Sequence, residues 1–271
     1  MLGAVAAAAL AYGWFEAGWA RLRELEVVVP RLPPALDGLR IAHLSDFHLG
    51  VPSRGIRAVE RAVDWVAERR PDLVCVTGDL LARPRGERRL NELLDRLGGR
   101  PYLVLGNHDF AISRDPFSEP VRLGLLEHGE LLFDRSVEVE LRGCRVEIAG
   151  VDPRSWVAER PSEFPPSDAD LHILLCHFPR VFELVADGRW DLILAGHLHA
   201  GQIVLPYGFG RLLLAHPSAP YPQGVFARGT TTMHVSPGLG TTFVPFRFFA
   251  RPEATELVLR CEERCRPASP D

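Results

Sequence analysis

The sequence predicts an α/β domain built on parallel strands, and three observations carry the prediction. Strand and helix patterns alternate from residue 39 to residue 105, an order that calls for crossover helices between parallel strands. A second pair of apolar strand patterns follows near 173–175 and 192–194. These five strands end in short polar motifs, in order SDFH, TGD, GNHD, CHF and GHLH. In open α/β sheets the ligand site lies outside the carboxyl ends of the strands, so the five motifs are placed to converge.

Taken in order, residues 39–44 read as the first strand. In 54–69 the apolar positions Ile56, Val59, Val63, Val66 and Ala67 recur at helical spacing, and Pro71 stops the helix. Residues 73–76 form a short apolar strand, 86–97 carry Leu90, Leu93, Leu94 and Leu97 on one helical face, and 102–105 form the next strand. The pattern then changes: 131–133, 137–141 and 145–149 are short strands of hairpin type, with Arg142 and Gly143 at one turn. A short helix near 180–186 separates the later parallel strands, and further strands are expected near 202–205, 231–235 and 254–259.

The chain has 271 residues, 46% hydrophobic and 24% charged, the make-up of a globular enzyme rather than a disordered or collagen-like chain. The net charge of −4, with acids interspersed among 31 basic residues that are all arginine, speaks against a nonspecific nucleic-acid surface. No nucleic-acid partner is expected. Five cysteines are an odd number without a zinc-site pattern; Cys75 and Cys176 read as small buried hydrophobes, and Cys261 and Cys265 fall in a charged tail.

Residues 1–15 carry no charged side chain, and Glu16, Trp14 and Trp19 stand at the end of that run. No basic residues precede it, as they would in a signal peptide. The run is shorter than the roughly 20 residues a full membrane span needs. Clustered aromatics at one end favour a membrane anchor or interfacial helix within residues 1–30 over a packed globular helix, ahead of a single domain over 31–271. The expected location is the inner or cytoplasmic membrane, on a side the sequence does not specify.

The strand ends supply Asp46 and His48, then Asp79, then Asn107, His108 and Asp109, then His177, then His197 and His199. Extended residues two apart point to one side, so His197 and His199 aim at one place, whereas a helical metal pair needs a spacing of three or four. Carboxylate and amide oxygens with imidazole nitrogens, and no thiolate, suit manganese, iron or zinc. Any one of these residues alone reads better as a turn, cap or packing residue; five groups at five strand ends do not.

In that order, DxH, GD, GNHD, H and GHxH, the set resembles the calcineurin-like metallophosphoesterase superfamily over residues 39 to about 202. The resemblance implies a four-layer α/β/β/α sandwich of two mixed sheets flanked by helices. It implies Asp46, His48 and His199 on a first divalent metal, Asn107, His177 and His197 on a second, and Asp79 bridging them. It further implies His108 as general acid with Asp109 orienting it, and cleavage of phosphodiester or pyrophosphate bonds by a metal-bridging hydroxide, with Mn²⁺ as the first expectation for the metal. The later stretches YPQGVF, SPGLGTT and PFRFFARPE resemble the membrane-linked bacterial branch, some members of which act on lipid or nucleotide substrates, including UDP-2,3-diacylglucosamine in lipid A biosynthesis. A phosphorylated small-molecule or lipid-linked substrate is therefore expected. The alternatives are a catalytically silent scaffold, which missing ligands would mark, and a nuclease, which the charge balance disfavours. Leu198 and Ala200 stand where threonine and glycine are common, and neither replaces a ligand.

Other residues carry weaker expectations. His43, His128, His172, His216 and His234 are read as structural, and Asp152 as a turn residue. Gln202 is a candidate partner of a ligand histidine's second nitrogen. Arg54, Arg154 and Arg180 are candidates for a second phosphate, though solvated surface positions suit each at least as well. Residues 243–249 are read either as a lipid-facing cleft or as packing on the sheet.

Overall fold

Two six-stranded sheets pack face to face in the computed structural model, which describes residues 1–110, 115–119, 126–157, 164–208 and 210–262. Helix α1 (Leu2–Ala17) and strand β1 (Arg21–Val28) come first, followed by β2 (Arg40–Leu44), α2 (Gly55–Arg69), β3 (Leu73–Thr77), α3 (Glu87–Leu97) and β4 (Tyr102–Val104). The middle of the chain gives β5 (Glu130–Leu131), β6 (Arg135–Leu141), β7 (Cys144–Gly150), the short α4 (Pro153–Val157), β8 (Leu171–Leu175), the short α5 (Val181–Leu184) and β9 (Leu192–Ala195). The remainder gives β10 (Val204–Tyr207), β11 (Gly210–Leu213), β12 (Gly224–Arg228), β13 (Thr231–Val235) and β14 (Glu253–Arg260).

The first sheet has the order β1-β14-β2-β3-β4-β5 and the second β12-β13-β9-β8-β7-β6; β10 and β11 pair separately as a hairpin. Strands β2 to β5 run parallel, and so do β13, β9, β8 and β7. Antiparallel pairs β14–β2, β12–β13 and β6–β7 make both sheets mixed. The inner faces share one core, with Ile41, Cys75, Val104 and Leu257 from one sheet against Ile148, Ile173, Leu175 and Leu194 from the other. On the outer face of the first sheet α2 contributes Val59, Val63 and Val66 and α3 contributes Leu90, Leu93, Leu94 and Leu97. Each such side chain stabilises the packing by about 1.5–3 kcal/mol. The outer face of the second sheet is covered by α5 together with Trp190, Val181 and Phe182 rather than by long helices.

The layers agree with the predicted sandwich. Strand β1 has no counterpart in the sequence reading: its burial does not alternate cleanly, and only Val27 is buried. It pairs parallel to β14, so residues 21–28 belong to the first sheet. Cys261 also differs from its expected place in a tail, since it lies in the inter-sheet core with its thiol toward Leu32 O. Cys265 lies outside the described residues.

Helix α1 is exposed over its first turns and docks only by its C-terminal end, where Gly13, Glu16 and Ala17 are buried. A Cβ at position 13 would stand 2.4 Å from the Phe248 ring, so only glycine permits this approach. Glu16 is buried and accepts a hydrogen bond from Ala250 N at 2.7 Å. No helix among the described residues is long and apolar enough to cross a membrane.

Two buried histidines tie the sheets beneath the strand ends. His43 on β2 and His234 on β13 meet Nδ1 to Nδ1 at 2.8 Å, and His43 Nε2 lies 2.8 Å from Thr77 Oγ1. Burial holds both rings neutral, with His234 pushed down to about 3. A histidine whose folded pKa is depressed contributes its full stability above the unfolded value of about 6.5 and loses it as the pH falls below that value. Each of the two is expected to add about 1.4 kcal/mol per pH unit to the acid limb of the stability curve. Denaturant titrations at steps between pH 7 and pH 5 should therefore give His234→Met a shallower limb than the parent; parallel limbs would refute the assignment.

Candidate metal centre

The site begins with backbone register. Asp46 N donates to Gly78 O at 2.9 Å and His48 N donates to Asp79 O at 2.9 Å, so the loops after β2 and β3 continue side by side beyond the sheet. Asp46, His48, Asp79, His197 and His199 all have φ between 46° and 75°. A non-glycine residue there costs of order 1–3 kcal/mol, and such strain concentrates where side chains must be aimed. Two glycines make the approach possible. A Cβ on Gly106 would lie 2.0 Å from Asp79 Oδ1, and one on Gly196 would lie 2.0 Å from Ser45 Oγ.

These loops bring together two groups of donors. Asp46, His48, Asp79 and His199 form the first, and Asp79, His177 and His197 the second. In the first, His48 Nε2 lies 3.0 Å from His199 Nε2 and 3.4 Å from Asp79 Oδ2, and His199 Nε2 lies 3.4 Å from Asp46 Oδ1. In the second, His177 Nε2 lies 3.2 Å from Asp79 Oδ2 and 3.1 Å from His197 Nδ1. The same oxygen of Asp79 thus faces both. Asn107 Oδ1 is buried and has no hydrogen-bond partner among the described residues.

The donors fit divalent cations. Two donors each about 2.0–2.1 Å from one ion at 90–110° stand ~3.0–3.4 Å apart, the spacing found in both groups. Ring nitrogens brought this close leave at least some lone pairs facing one another, which only a shared proton or cation makes favourable. His177 Nδ1 donates to Thr77 O at 2.8 Å, which leaves Nε2 as the nitrogen facing Asp79 and orients the ring as a ligand needs.

Electrostatics reinforce the picture. Burial raises Asp46 to about 6, and the Asp79 charge adds to the rise while His177 opposes it. Burial disfavours a charged His177, but the Asp79 and Asp46 carboxylates more than offset it and lift the ring to about 9. The same contact, with His108 and His48, holds Asp79 well below the ordinary carboxylate range despite its burial. Burial presses His48 to about 3 and His197 and His199 well below the usual range, so these rings are neutral, as ligands must be.

His108 stands outside both groups. Its ring meets that of His48 edge-on at 4.7 Å, with Ser118 Oγ 2.5 Å from Nδ1 and Thr242 Oγ1 3.4 Å from Nε2. Asp109 does not orient that ring as expected. Its carboxylate accepts hydrogen bonds from Gly106 N at 2.9 Å, Leu81 N at 2.8 Å and Leu80 N at 3.2 Å, clamping the GNHD loop to the loop after Asp79. Three buried amides engage the carboxylate oxygens, while Ser118, Thr242 and Asp115, whose Oδ2 lies 3.8 Å from Nδ1, are among the groups beside the His108 ring.

Gln202 differs from its expected role as well. Rather than holding a ligand histidine, it donates to Thr242 O and Val244 O and accepts from Thr242 N at 2.9 Å. Arg54 packs over Phe15, Arg154 pairs with Asp152 over Phe110, and Arg180 pairs with Glu183. His216, read as structural, sits at the rim with its ring 5.4 Å from that of His197.

The residue missed by sequence reasoning is Arg247, a guanidinium with 0% exposure. It donates to His199 Nδ1 at 3.0 Å, to Gly240 O at 2.7 and 3.0 Å, and to Pro237 O and Ala250 O at 3.0 Å. It fixes the plane of the His199 ring and the loop that closes over Asp46. A lone arginine inside the aromatic run PFRFF was the available signal. Arg247→Met leaves several buried carbonyls unpaired, each costing about 1–3 kcal/mol. The expected outcome is a lowered thermal midpoint and a first-site metal affinity that drops while the second site still fills, read by calorimetric titration; two undisturbed sites would refute the bracing role.

Comparison with known proteins agrees with this geometry. The family model described as calcineurin-like phosphoesterase matches residues 39–201. The chain is 32% identical over 263 residues to a transmembrane protein with metallophosphoesterase domain of Danio rerio, covering 88% of this chain and 56% of that protein, so it spans about half the length of that relative. It is 30% identical over 281 residues to the uncharacterized metallophosphoesterase YkuE of Bacillus subtilis, covering 96% of this chain and 95% of the other. It is 27% identical over 261 residues to phosphodiesterase YaeI of Escherichia coli, with 90% of each chain covered. A family pattern across more than half of the sequence and a relative matched along nearly its whole length establish that the chain belongs to the calcineurin-like family of metal-dependent phosphoesterases.

Proposed function

We propose that this chain hydrolyses phosphodiester or pyrophosphate bonds at two divalent cations. Asp46, His48, Asp79 and His199 hold the first, and Asp79, Asn107, His177 and His197 hold the second. The observation that carries this reading is Asp79 Oδ2, within 3.4 Å of His48 and 3.2 Å of His177 and so common to both groups. The mixed oxygen and nitrogen donors suit manganese first, with iron and zinc fitting the same set. Cations bound there supply Lewis acidity toward phosphoryl oxygens and lower the pKa of a water. Asp79 fixes the spacing of the two groups, and Asn107, a neutral donor, limits the negative charge that an anionic substrate meets.

His108 gives a proton to the leaving oxygen in this reading, and Ser118 Oγ, 2.5 Å from its Nδ1, holds the ring. Asp109 supports it through the backbone of the GNHD loop. Helix α1 lies at a membrane surface in this reading, supported by its exposed apolar turns, by Trp14, Phe15 and Trp19 near its base, and by Arg54 and Arg251 over the Phe15 and Trp19 rings. A lipid-linked substrate follows from that placement, and UDP-2,3-diacylglucosamine is one compound of that class to assay.

Metal-loaded protein is expected to carry two ions per chain by elemental analysis and to cleave bis(p-nitrophenyl) phosphate. Asp79→Ala should lose both the paired metals and turnover; a purified variant with undiminished turnover would overturn the reading. His108→Ala should keep two metals and lose about 10²- to 10⁴-fold in kcat, with a smaller loss on the p-nitrophenyl ester than on an alkyl ester, whose leaving oxygen depends more on protonation. Replacing Leu2, Val5 and Leu10 with glutamate should abolish partition to anionic vesicles while turnover of the soluble ester is retained. Undiminished vesicle binding would rule out the membrane role of α1.

A further inference from the structure

A small cleft beside His108 is lined by Val51, Pro52, Phe117, Phe243, Val244 and Pro245, with Thr242 and Asp115 at its floor and a volume of about 120 Å³. Its position matters more than its size. Thr242 Oγ1 lies 3.4 Å from His108 Nε2 and 2.9 Å from Asp115 Oδ2, so the cleft begins where the ring that stands outside the metal ligands presents its second nitrogen.

The wall carrying Phe243 is held under strain. Phe243 has φ of 57°, an outlier for a bulky side chain. Its amide donates to Asp115 Oδ2 at 3.0 Å, and Gln202 grips the peptides on either side through Thr242 O, Thr242 N and Val244 O. Four hydrogen bonds therefore maintain a conformation whose outcome is a half-exposed Phe243, 48% accessible, next to the Thr242 that reaches His108. Strain of order 1–3 kcal/mol kept in place by a buried glutamine and a buried aspartate is the pattern of a site that must aim a side chain.

We propose that this cleft receives the alcohol half of a phosphodiester, and that the alcohol is apolar: an aryl group or a short alkyl chain. The inference rests on the proposed role of His108 as proton donor. Apart from Asp115, Thr241 and Thr242 its lining is aliphatic and aromatic, suited to an uncharged hydrocarbon group, and the Asp115 carboxylate disfavours the anionic leaving group of a pyrophosphate. An engineered apolar cavity of about 150 Å³ takes up benzene, so a cleft of this volume holds one ring or a few carbons, and anything longer extends past Phe117 and Val244. In the step itself a bond forms between the water oxygen and phosphorus, and the water gives up one of its protons to solvent. The bond from phosphorus to the leaving oxygen breaks with its electron pair on that oxygen, and the His108 proton passes to it. The products are the apolar alcohol and a phosphomonoester.

The test uses the full, metal-loaded chain and aryl methyl phosphodiesters whose phenols have matched pKa but carry either an alkyl or a carboxylate substituent, together with a symmetrical dialkyl pyrophosphate. A group added in an apolar pocket changes kcat/KM by about 10- to 200-fold per methylene-sized contact, so the alkyl-substituted ester should be favoured by at least tenfold over the carboxylate. The pyrophosphate should be slower still. Phe243→Ser and Val244→Ser should each reduce that preference, with Val244→Ser, at an exposed position, serving where the strained Phe243 site does not tolerate change. Turnover of both esters without preference, or a preference unchanged in both variants, would overturn the inference while leaving the phosphodiesterase reading intact. Turnover of no diester at all would overturn both.

Discussion

Everything at the strand ends depends on the placement of one carboxylate. Asp79 lies in the loop after β3 with φ of 51°, its backbone carbonyl taken by His48 N and its Oδ1 by His108 N at 2.9 Å. Those contacts leave Oδ2 as the free edge, and it is this edge that both donor groups face. The Oδ1 contact requires Gly106, because any side chain there would run into the carboxylate. A parallel register between β2 and β3, one glycine and one left-handed residue therefore determine the spacing of two donor groups able to hold two ions.

The price of that arrangement is electrostatic, and the fold meets it with neighbouring groups drawn from several elements. Asp46, Asp79 and Asp109 are all buried, and burial alone favours their neutral forms; Asp109 rises to about 7 for that reason, with the Asp79 charge adding to it. Backbone amides answer at Asp109, the His177 ring answers at Asp79, and Arg247 brings a buried positive charge behind His199. Burial draws Arg247 down to about 10, which leaves it charged at neutral pH. The carboxylates are thus kept available for cations by neighbours on different elements, which explains why the motifs need the surrounding sheets and do not function as isolated loops.

The two donor groups were legible in the sequence because each motif is local. A strand of apolar residues, a polar triplet and a glycine can be read from a short window, and the alternation of strands and helices supplies the convergence. What was not legible is whatever depends on two distant windows meeting. Gln202 lies in the GHLHAGQ motif, yet its partners are 40 and 42 residues away, so its type suggested a histidine partner and its position decided otherwise. Asp109 sits beside His108 in sequence, but the three-residue turn sends its carboxylate back to the amides of Gly106, Leu80 and Leu81. Strand β1 was hidden for another reason. It is an edge strand whose outer positions tolerate Arg21, Arg23, Glu24 and Glu26, so the alternation that marks a half-buried strand is blurred.

The segment between Gly240 and Ala250 shows how one irregular stretch can serve several demands. Phe243 faces the cleft beside His108, Arg247 turns inward to His199, Phe248 packs against Gly13, and the Ala250 amide binds Glu16. Arg247 N also donates to Gly13 O at 3.1 Å, so the same residue touches helix α1 through its backbone and the metal centre through its side chain. A regular strand or helix cannot send neighbouring residues to four such places, because its side chains are confined to a period of two or 3.6. Positive φ at Phe243 and Phe249 breaks that period at both ends. The irregular backbone is what lets the base of an exposed apolar helix, the wall of the cleft beside His108 and the brace of His199 be parts of one short stretch of chain.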